Sequence, residues 1–149
     1  ICTDERITTF FASDTQNHST GALVWQQWLD TLAAIEGPVH LSIDIDGLDG
    51  SIVPATGTPV PGGLSYWQVV ETIETIFAAK NAIIISADIN EIVPQLDSPL
   101  TQFTAAMLAG KIVSNHINAK NKGRWNSTSE QLGKNRENRF INYFFTGGF

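Results

Sequence analysis

The sequence predicts an α/β protein of three layers (α-β-α), in which helices cover both faces of a mainly parallel sheet. Strand-like and helix-like stretches alternate from the start of the chain to about residue 117. Each helical stretch is long enough to join two parallel strands through a right-handed crossover. Because the pattern contains only about three strands, we expect a partial slice of a larger sheet.

The first strand and the first helix lie before residue 39. The β-branched and aromatic residues at 7–12 predict a strand. Ser19 or Thr20 fits the N-cap of the helix that follows, because short polar side chains accept hydrogen bonds from the free N–H groups of a first helical turn. Gly37 and Pro38 indicate the end of this helix.

A strand that carries acidic residues comes next. Apolar and polar side chains alternate from Val39 to Asp46, which is the period of a strand. Asp44 and Asp46 should therefore leave the sheet on the same side. A loop rich in Gly, Pro and Thr follows as far as Gly63, and the carboxyl end of an α/β sheet is where ligands usually bind.

The second helix is expected to begin at a capping box formed by Ser65 and Gln68. Its apolar residues recur at helical spacing and should pack on the sheet. These residues are Val69, Val70, Ile73, Ile76 and Phe77. Residues 82–89 then predict a buried strand.

The last helix is expected to start at Ser98 and Pro99, an N-cap and a first-turn proline, and to run to about His116. Its candidate core contacts are Leu100, Phe103, Met107 and Val113. From residue 119 onward no apolar period continues, and polar residues dominate. We therefore divide the chain into a partial α/β domain at 1–118 and a polar basic tail at 119–149, which we expect to be disordered or foreign to the fold.

The distribution of charge argues against nucleic acid as a partner. Residues 1–119 carry 13 acidic and 3 basic side chains, whereas residues 120–149 carry 2 acidic and 6 basic ones. The acidic part would repel a phosphate backbone. No apolar run is long enough to cross a membrane, and the single Cys2 has no partner for an intrachain disulfide, which favours a cytoplasmic protein. Because the chain starts with Ile1 and not with Met, we expect it to begin inside a longer gene product.

The pair formed by Asp44 and Asp46 admits several interpretations. Carboxylates at a strand end often accept hydrogen bonds from nearby backbone N–H groups and need no further role. A calcium-binding loop is excluded, because Ala55 stands where that loop requires Glu. The Asp-Ile-Asp-Gly segment also resembles the nucleophile motif of haloacid-dehalogenase-type phosphatases, although Leu48 stands where that motif has Thr. Manganese-dependent glycosyltransferases use Asp-x-Asp as well.

Two longer motifs resemble the arginase/agmatinase (ureohydrolase) family. The first resembles the family's last metal motif, with Ser-Ile-Asp-Ile-Asp-Gly-Leu-Asp at 42–49 and Pro-Ala-Thr-Gly-Thr-Pro at 54–59. The second resembles its Glu-x-x-Pro segment, with Asp-Ile-Asn-Glu-Ile-Val-Pro at 88–94. The motifs occur in the family's order, with a predicted helix between them. The resemblance covers roughly residues 38–117 and implies a partial slice of the arginase-like fold.

This resemblance implies a function and a role for each matching residue. Members of the family hydrolyse a guanidino group to urea and an amine, and two Mn²⁺ ions turn water into hydroxide at neutral pH. Asp44 would bridge both metal ions, and Asp46 would bind one of them. Glu91 would hold the guanidinium of a small substrate, arginine or agmatine, with Thr58 beside it and Asp88 as a supporting acid near Glu91. Such enzymes are commonly homo-oligomers, either trimers or hexamers.

One departure from the family pattern limits what the chain can do alone. The family's other metal ligands lie in a Gly-Gly-Asp-His segment and an Asp-Ala-His-x-Asp segment, and neither occurs in this sequence. His18, His40 and His116 stand in no such context, so we interpret them as structural. We expect an amidinohydrolase in its full-length form and an inactive fragment here. The alternative is a non-catalytic homologue that acts as a binding or assembly module.

Overall fold

Strands and helices alternate along the chain in a computed structural model, which describes residues 6–95, 98–123 and 142–146. The elements in chain order are β1 (Ile7–Phe11), α1 (Ala12–Thr15), α2 (Gly21–Ala33), β2 (Glu36–Asp44), a 3₁₀ helix (Ile45–Gly47), α3 (Tyr66–Ala78), β3 (Asn81–Asn90), α4 (Leu100–Asn121) and β4 (Asn142–Thr146). All strand pairs are parallel: β2 pairs with β3, and β1 pairs with β4. The predicted α/β class with parallel strands is confirmed.

β1 does not join the sheet that β2 and β3 form. It pairs with β4 from Ile7 opposite Asn142 to Phe11 opposite Thr146. A strand needs a partner for its backbone N–H and C=O groups, and β4 satisfies them on one side of β1. Part of the segment predicted as a tail thus lies in a strand, and α4 extends past the predicted boundary at residue 118 to Asn121. Residues 124–141 and 147–149 of that segment lie outside the described residues.

The pairing of β2 with β3 fixes which side chains share a face. The register runs from Glu36 opposite Asn81 to Asp44 opposite Asn90, with an irregularity between Val39 and His40. The apolar residues of β2 pack on the core, whereas the polar ones lie on the opposite face. β3 is less buried than we expected, because residues 85–87 are exposed. Among the described residues no strand covers the second edge of β3.

The start of α3 follows the sequence prediction in detail. The Ser65 side chain accepts a hydrogen bond from the backbone N–H of Gln68 at 3.3 Å, and the backbone N–H of Ser65 donates to the Gln68 side chain at 2.9 Å. The five apolar residues predicted to pack on the sheet are all buried. The capping box and the core face of α3 are therefore confirmed.

The start of α2 uses a different residue from the predicted cap. Thr20 occupies the N-cap position, but its side chain makes no capping hydrogen bond. Asn17 instead accepts hydrogen bonds from the backbone N–H groups of Ser19 and Thr20, at 2.9 and 3.2 Å. Its side-chain oxygen therefore holds the turn that leads into α2.

α4 buries the face opposite to the predicted one, so its predicted core contacts are wrong. Leu100, Phe103, Met107 and Val113 are exposed, and Phe103 retains 65% of its accessible surface. The helix buries Thr101, Thr104, Ala105, Leu108 and Ala119 instead. Thr101 is buried because its hydroxyl accepts a hydrogen bond from the backbone N–H of Ala55 at 2.9 Å. The apolar pattern alone could not reveal this contact between α4 and the loop.

The helices within the described ranges are too short or too polar to span a lipid bilayer.

Replacing Ser65 with Ala should lower the free energy of unfolding by about 1 kcal/mol, because the capping box loses its acceptor. Chemical denaturation followed by circular dichroism measures this change. Thr20→Ala is the matched control, since Thr20 also stands at an N-cap but makes no capping bond with its side chain. Equal losses in the two variants would contradict the role given to the Ser65 hydroxyl.

Candidate functional site

The carboxyl end of β2 turns into a 3₁₀ helix instead of continuing as a strand. Asp44 ends β2 and stands at the N-cap of this helix, where its Oδ1 accepts a hydrogen bond from the backbone N–H of Asp46 at 3.0 Å. The predicted strand alternation therefore stops at Asp44. The capping contact, and not the period of a strand, brings the two acidic residues together. This hydrogen bond is the contact expected if the carboxylates only accept hydrogen bonds from nearby backbone N–H groups.

Asp46 is held by the loop that follows. The Thr58 hydroxyl donates a hydrogen bond to Asp46 Oδ2 at 2.5 Å. The other carboxylate oxygen, Oδ1, is buried and has no hydrogen-bond partner among the described residues. A buried oxygen of this kind is costly unless a donor or a cation faces it. Asp46 therefore fits the role of a ligand to a positively charged group.

The loop that carries Thr58 is closed at its base. Leu48 and Leu64 form a parallel bridge. A Cβ atom at Gly63 would lie only 2.4 Å from the carbonyl carbon of Leu48, so no larger residue fits at this position. This close approach fixes both ends of the loop next to the 3₁₀ helix.

The Asp49 side chain connects the first residues of the same loop to its last residues. Its carboxylate accepts hydrogen bonds from the backbone N–H of Ser51 at 2.9 Å and from that of Gly62 at 2.7 Å. These contacts lower the pKa of Asp49 below 3.8, and the hydrogen bond from the Ser51 hydroxyl is the largest cause. Asp49 therefore stabilises the loop in its charged form.

Glu91 follows β3 and adopts an unusual backbone conformation. Its φ angle of 60° is the only positive one of a non-glycine residue within the described part of the chain. The side chain reaches the loop, because a Cβ atom at Gly57 would lie 3.6 Å from Glu91 Oε2. The backbone N–H of Val93 donates to the carbonyl oxygen of Ala55 at 3.0 Å and joins the two segments. Strained residues of this kind cluster at functional sites.

Asp88 lies in a polar network across the two strands. It accepts hydrogen bonds from Ser42 at 2.7 Å and from Asn90 at 2.6 Å, and His40 contacts its second oxygen at 2.8 Å. The Ser42 hydroxyl is the largest cause of a pKa of Asp88 that lies below 3.8. These contacts connect Asp88 to β2.

The structure thus joins Asp44, Asp46 and Thr58 by hydrogen bonds and places Glu91 against the same loop. No group of three His, Cys, Asp or Glu side chains within the described ranges could hold a metal ion. The unpartnered oxygen of Asp46 fits a metal ligand, but two aspartates form only part of a ligand set. The site in this chain is therefore a partial one.

Sequence reasoning missed the network around Asp88. Ser42 and Asn90 received no role, and His40 was interpreted only as structural. The signal was present, because polar residues occupy every second position at 40–44 on β2 and at 86–90 on β3. Only the register of the two strands shows that these positions face each other.

The fold and the site define a parallel α/β protein with acidic side chains at the carboxyl edge of its sheet. A sequence model described as the Arginase family matches residues 2–115. The chain belongs to this family, which confirms the resemblance of the two motifs. The match favours the ureohydrolase interpretation over the phosphatase interpretation.

Individual relatives agree with this assignment. The N(1)-aminopropylagmatine ureohydrolase of Thermus thermophilus is 41% identical over 91 residues, which cover 61% of this chain and 29% of the relative. Arginase-1 of Oryctolagus cuniculus is 51% identical over 59 residues, which cover 40% of this chain and 18% of the relative. The chain therefore spans less than a third of the length of these curated relatives.

A solved structure shows the same fold. The arginase from Bacillus caldovelox superimposes with a TM-score of 0.54 at 36% sequence identity, over 64% of this chain and 33% of that chain. The partial α/β slice described here is thus a part of an arginase-like fold.

Replacing Glu91 with Gly should raise the free energy of unfolding by about 1 kcal/mol, because Gly adopts a positive φ without steric cost. Denaturant titration measures this change. Lys80→Gly is the control, since Lys80 is exposed and has no positive φ, and it should lose stability by roughly 0.5–1 kcal/mol. A similar loss in both variants would show that the backbone at Glu91 stores no strain.

The amide resonances of Ser51 and Gly62 should titrate with a midpoint below 3.8, because both groups donate to Asp49 and the pKa of that carboxyl is lowered. A lowered pKa in the folded state means that this stabilisation is present above the ordinary value of 3.8 and disappears as the pH falls through the folded value. An NMR titration measures the midpoint, and Asp49→Asn should abolish the transition. A midpoint at or above the ordinary value would refute the account of this loop.

Proposed function

We propose that this chain supplies part of the active site of an arginase-family enzyme that hydrolyses a guanidino compound to urea and an amine. The observation that carries the proposal is the register of β2 and β3. It sets Asp44 opposite Asn90, so that Glu91 follows the residue paired with Asp44. The hydrogen bond from Thr58 to Asp46 holds the loop at the same edge of the sheet.

The electrostatics of this edge favour cationic ligands. Asp44, Asp46, Asp88 and Glu91 occur in segments 36–64 and 81–95, which contain no Lys or Arg. Salt solutions screen the repulsion between exposed carboxylates only beyond about 8–10 Å. A metal cation and a guanidinium would each remove part of this repulsion.

Asp44 and Asp46 are the proposed ligands of Mn²⁺, with two ions in the complete enzyme. Carboxylate oxygens suit this metal, and the partnerless Oδ1 of Asp46 is the atom that most needs a cation. When bound, the metal pair supplies hydroxide at neutral pH. Because the described residues offer only part of a ligand set, we propose that this chain alone is inactive.

Glu91 is the proposed residue that binds and orients the substrate. Its carboxylate is exposed and can accept two hydrogen bonds from the planar guanidinium in a charge-assisted pair. The strained backbone directs it toward the loop at Gly57, next to Thr58. A guanidinium held between Glu91 and Thr58 would present its carbon to the metal edge. Asp88 would act indirectly, since its hydrogen bonds to β2 hold the end of β3 in place.

The substrate class is a small guanidino compound. Relatives bear the names arginase, agmatinase and N(1)-aminopropylagmatine ureohydrolase, so arginine, agmatine and its aminopropyl derivative are the compounds to compare. A cytoplasmic location and a trimeric or hexameric assembly of the full-length protein belong to the same proposal. We also propose that the basic segment beyond α4 takes no part in the reaction.

The complete gene product should release urea from one of these compounds in the presence of Mn²⁺. Asp44→Ala should reduce kcat/KM by at least about 100-fold, because a residue that would hold the metal is lost. Glu91→Gln should reduce it through weaker substrate binding while leaving the affinity for Mn²⁺ unchanged. A coupled urea assay and calorimetric titration with Mn²⁺ separate the two effects.

Asp30→Asn is the control, because Asp30 lies on the exposed surface of α2 and contacts Gln26. Its activity should equal that of the unmodified protein. Full Mn²⁺-dependent urea release by Asp44→Ala would refute the metal assignment. Complete loss of Mn²⁺ binding in Glu91→Gln would refute the assignment of Glu91 to the substrate.

A further inference from the structure

β3 contains one residue more than its pairing with β2 requires. Val39 lies opposite Ile84. The next residue of β2, His40, lies opposite Ser86, so Ile85 has no partner on β2. An extra residue of this kind is a β-bulge, which disrupts the ladder locally and redirects the side chains that follow, and bulges are frequent next to functional sites. The reason for this bulge should therefore lie in the side chains that it brings together.

His40 is the first residue of β2 after the bulge, and both of its ring nitrogens have partners on β3. Its Nδ1 lies 2.7 Å from the Ser86 hydroxyl oxygen, and its Nε2 lies 2.8 Å from Asp88 Oδ2. Because an ionised carboxylate only accepts hydrogen bonds, Nε2 must donate to Asp88. The other oxygen of Asp88 accepts hydrogen bonds from Ser42 at 2.7 Å and from Asn90 at 2.6 Å. His40 thus holds one oxygen of Asp88, and Ser42 and Asn90 hold the other.

Asn90 connects this network to Glu91. β3 ends at Asn90, and the next residue, Glu91, has the positive φ angle of 60°. A strained backbone persists only where the surrounding contacts hold it. After Glu91, the backbone N–H of Val93 donates to a carbonyl oxygen of the loop at 3.0 Å. Before Glu91, the side chain of Asn90 donates to Asp88, whose orientation depends on His40.

Stability alone does not explain a network built around His40. The side chains of His40 and Asp88 are 51% and 40% exposed, and exposed pairs of this kind add little to the stability of a fold. His40 is also the only His, Lys or Arg in segments 36–64 and 81–95. It is therefore the one side chain of these segments that can carry a positive charge next to the carboxylates.

We propose that His40 is a positioning residue for Glu91 and acts on it through Asp88 and Asn90. This inference rests on the function proposed above, in which Glu91 binds the guanidinium. With His40 in place, the Asp88 carboxylate is held at both oxygens and presents Oδ1 to Asn90. Without His40, the carboxylate can rotate, and its hold on Asn90 weakens. A charge-assisted pair with a planar guanidinium tolerates little displacement, so substrate binding suffers while the affinity for Mn²⁺ does not change.

Two variants of the complete gene product test this role with the compound, among arginine, agmatine and its aminopropyl derivative, that the protein hydrolyses fastest. His40→Leu removes both hydrogen bonds of the ring and should lower kcat/KM by about tenfold, mainly through a higher KM. His40→Gln should bring kcat/KM back to within roughly threefold of the unmodified protein, because its amide N–H can still donate to Asp88. An unchanged KM in His40→Leu, or no recovery in His40→Gln, would overturn the proposal.

Asn81→Leu is the matched control. Asn81 lies at the amino end of β3 and donates across the same two strands to Glu36 at 2.7 Å, so this variant also removes an exposed hydrogen bond between β2 and β3. It should leave both KM and kcat unchanged. If its KM rises as much as that of His40→Leu, the strand pair has only lost stability and His40 has no special role.

A double-mutant cycle tests whether His40 acts through Asp88. If it does, His40→Leu should cause no further loss of kcat/KM in a protein that already carries Asp88→Ala, so the two effects are strongly non-additive. Losses that multiply independently would contradict the route through Asp88.

The positioning itself can be measured by NMR in the 149-residue chain without substrate or metal. His40→Leu should shift the resonances of the Asn90 side-chain amide and the Glu91 backbone amide, whereas Asn81→Leu should not. Unchanged resonances in His40→Leu would overturn the proposal whatever the activity of the gene product. If the unmodified gene product releases no urea but the shifts occur, the proposed function fails and the link from His40 to Glu91 stands.

Discussion

The parallel pairing of β2 with β3 is the constraint on which the candidate site depends. Side chains alternate between the two faces of a strand, so a shift of one residue would move every polar residue of β3 to the other face. In the observed register, an irregularity between Val39 and His40 places the polar residues of the two strands opposite each other. Downstream of it, Ser42 lies opposite Asp88 and Asp44 opposite Asn90. Two motifs that are separated by α3 in the sequence thereby meet at one edge.

The second requirement is a loop that polar contacts shape together with the burial of Leu48, Val53 and Leu64 in the core. Asp49 accepts hydrogen bonds from both ends of the loop. Gly63 allows the end of the loop to pack closely against Leu48. Thr58 then reaches Asp46. Because these hydrogen bonds are exposed to solvent, the part of the loop around Thr58 should open more readily than the core helices. Such a region can adjust to a ligand without the unfolding of α3.

The elements that could be predicted from the sequence are those whose signals are local. α3 was predictable because Ser65 and Gln68 lie within one turn and the apolar residues follow with a regular period. The two family motifs were equally readable, since their residues are contiguous. The turn at Asp46 was hidden by the alternating pattern of the strand, although the capping contact from Asp44 that forms it is local. The buried face of α4 was not predictable, because contacts from distant residues decide it. Thr101 is the clearest case, since this buried polar residue accepts a hydrogen bond from the backbone N–H of Ala55, 46 residues earlier in the chain.

The incomplete sheet and the incomplete set of proposed metal ligands have the same physical origin. Parallel strands are normally buried on both sides, yet β2 and β3 have only each other within the described ranges. A parallel strand added at either edge would end on the same side as Asp44 and Asn90, since parallel strands share a direction. Its last residues would then lie near Asp46, whose Oδ1 has no partner among the described residues. Completion of the sheet and completion of the ligand set would therefore be one event, in which metal binding and folding stabilise each other.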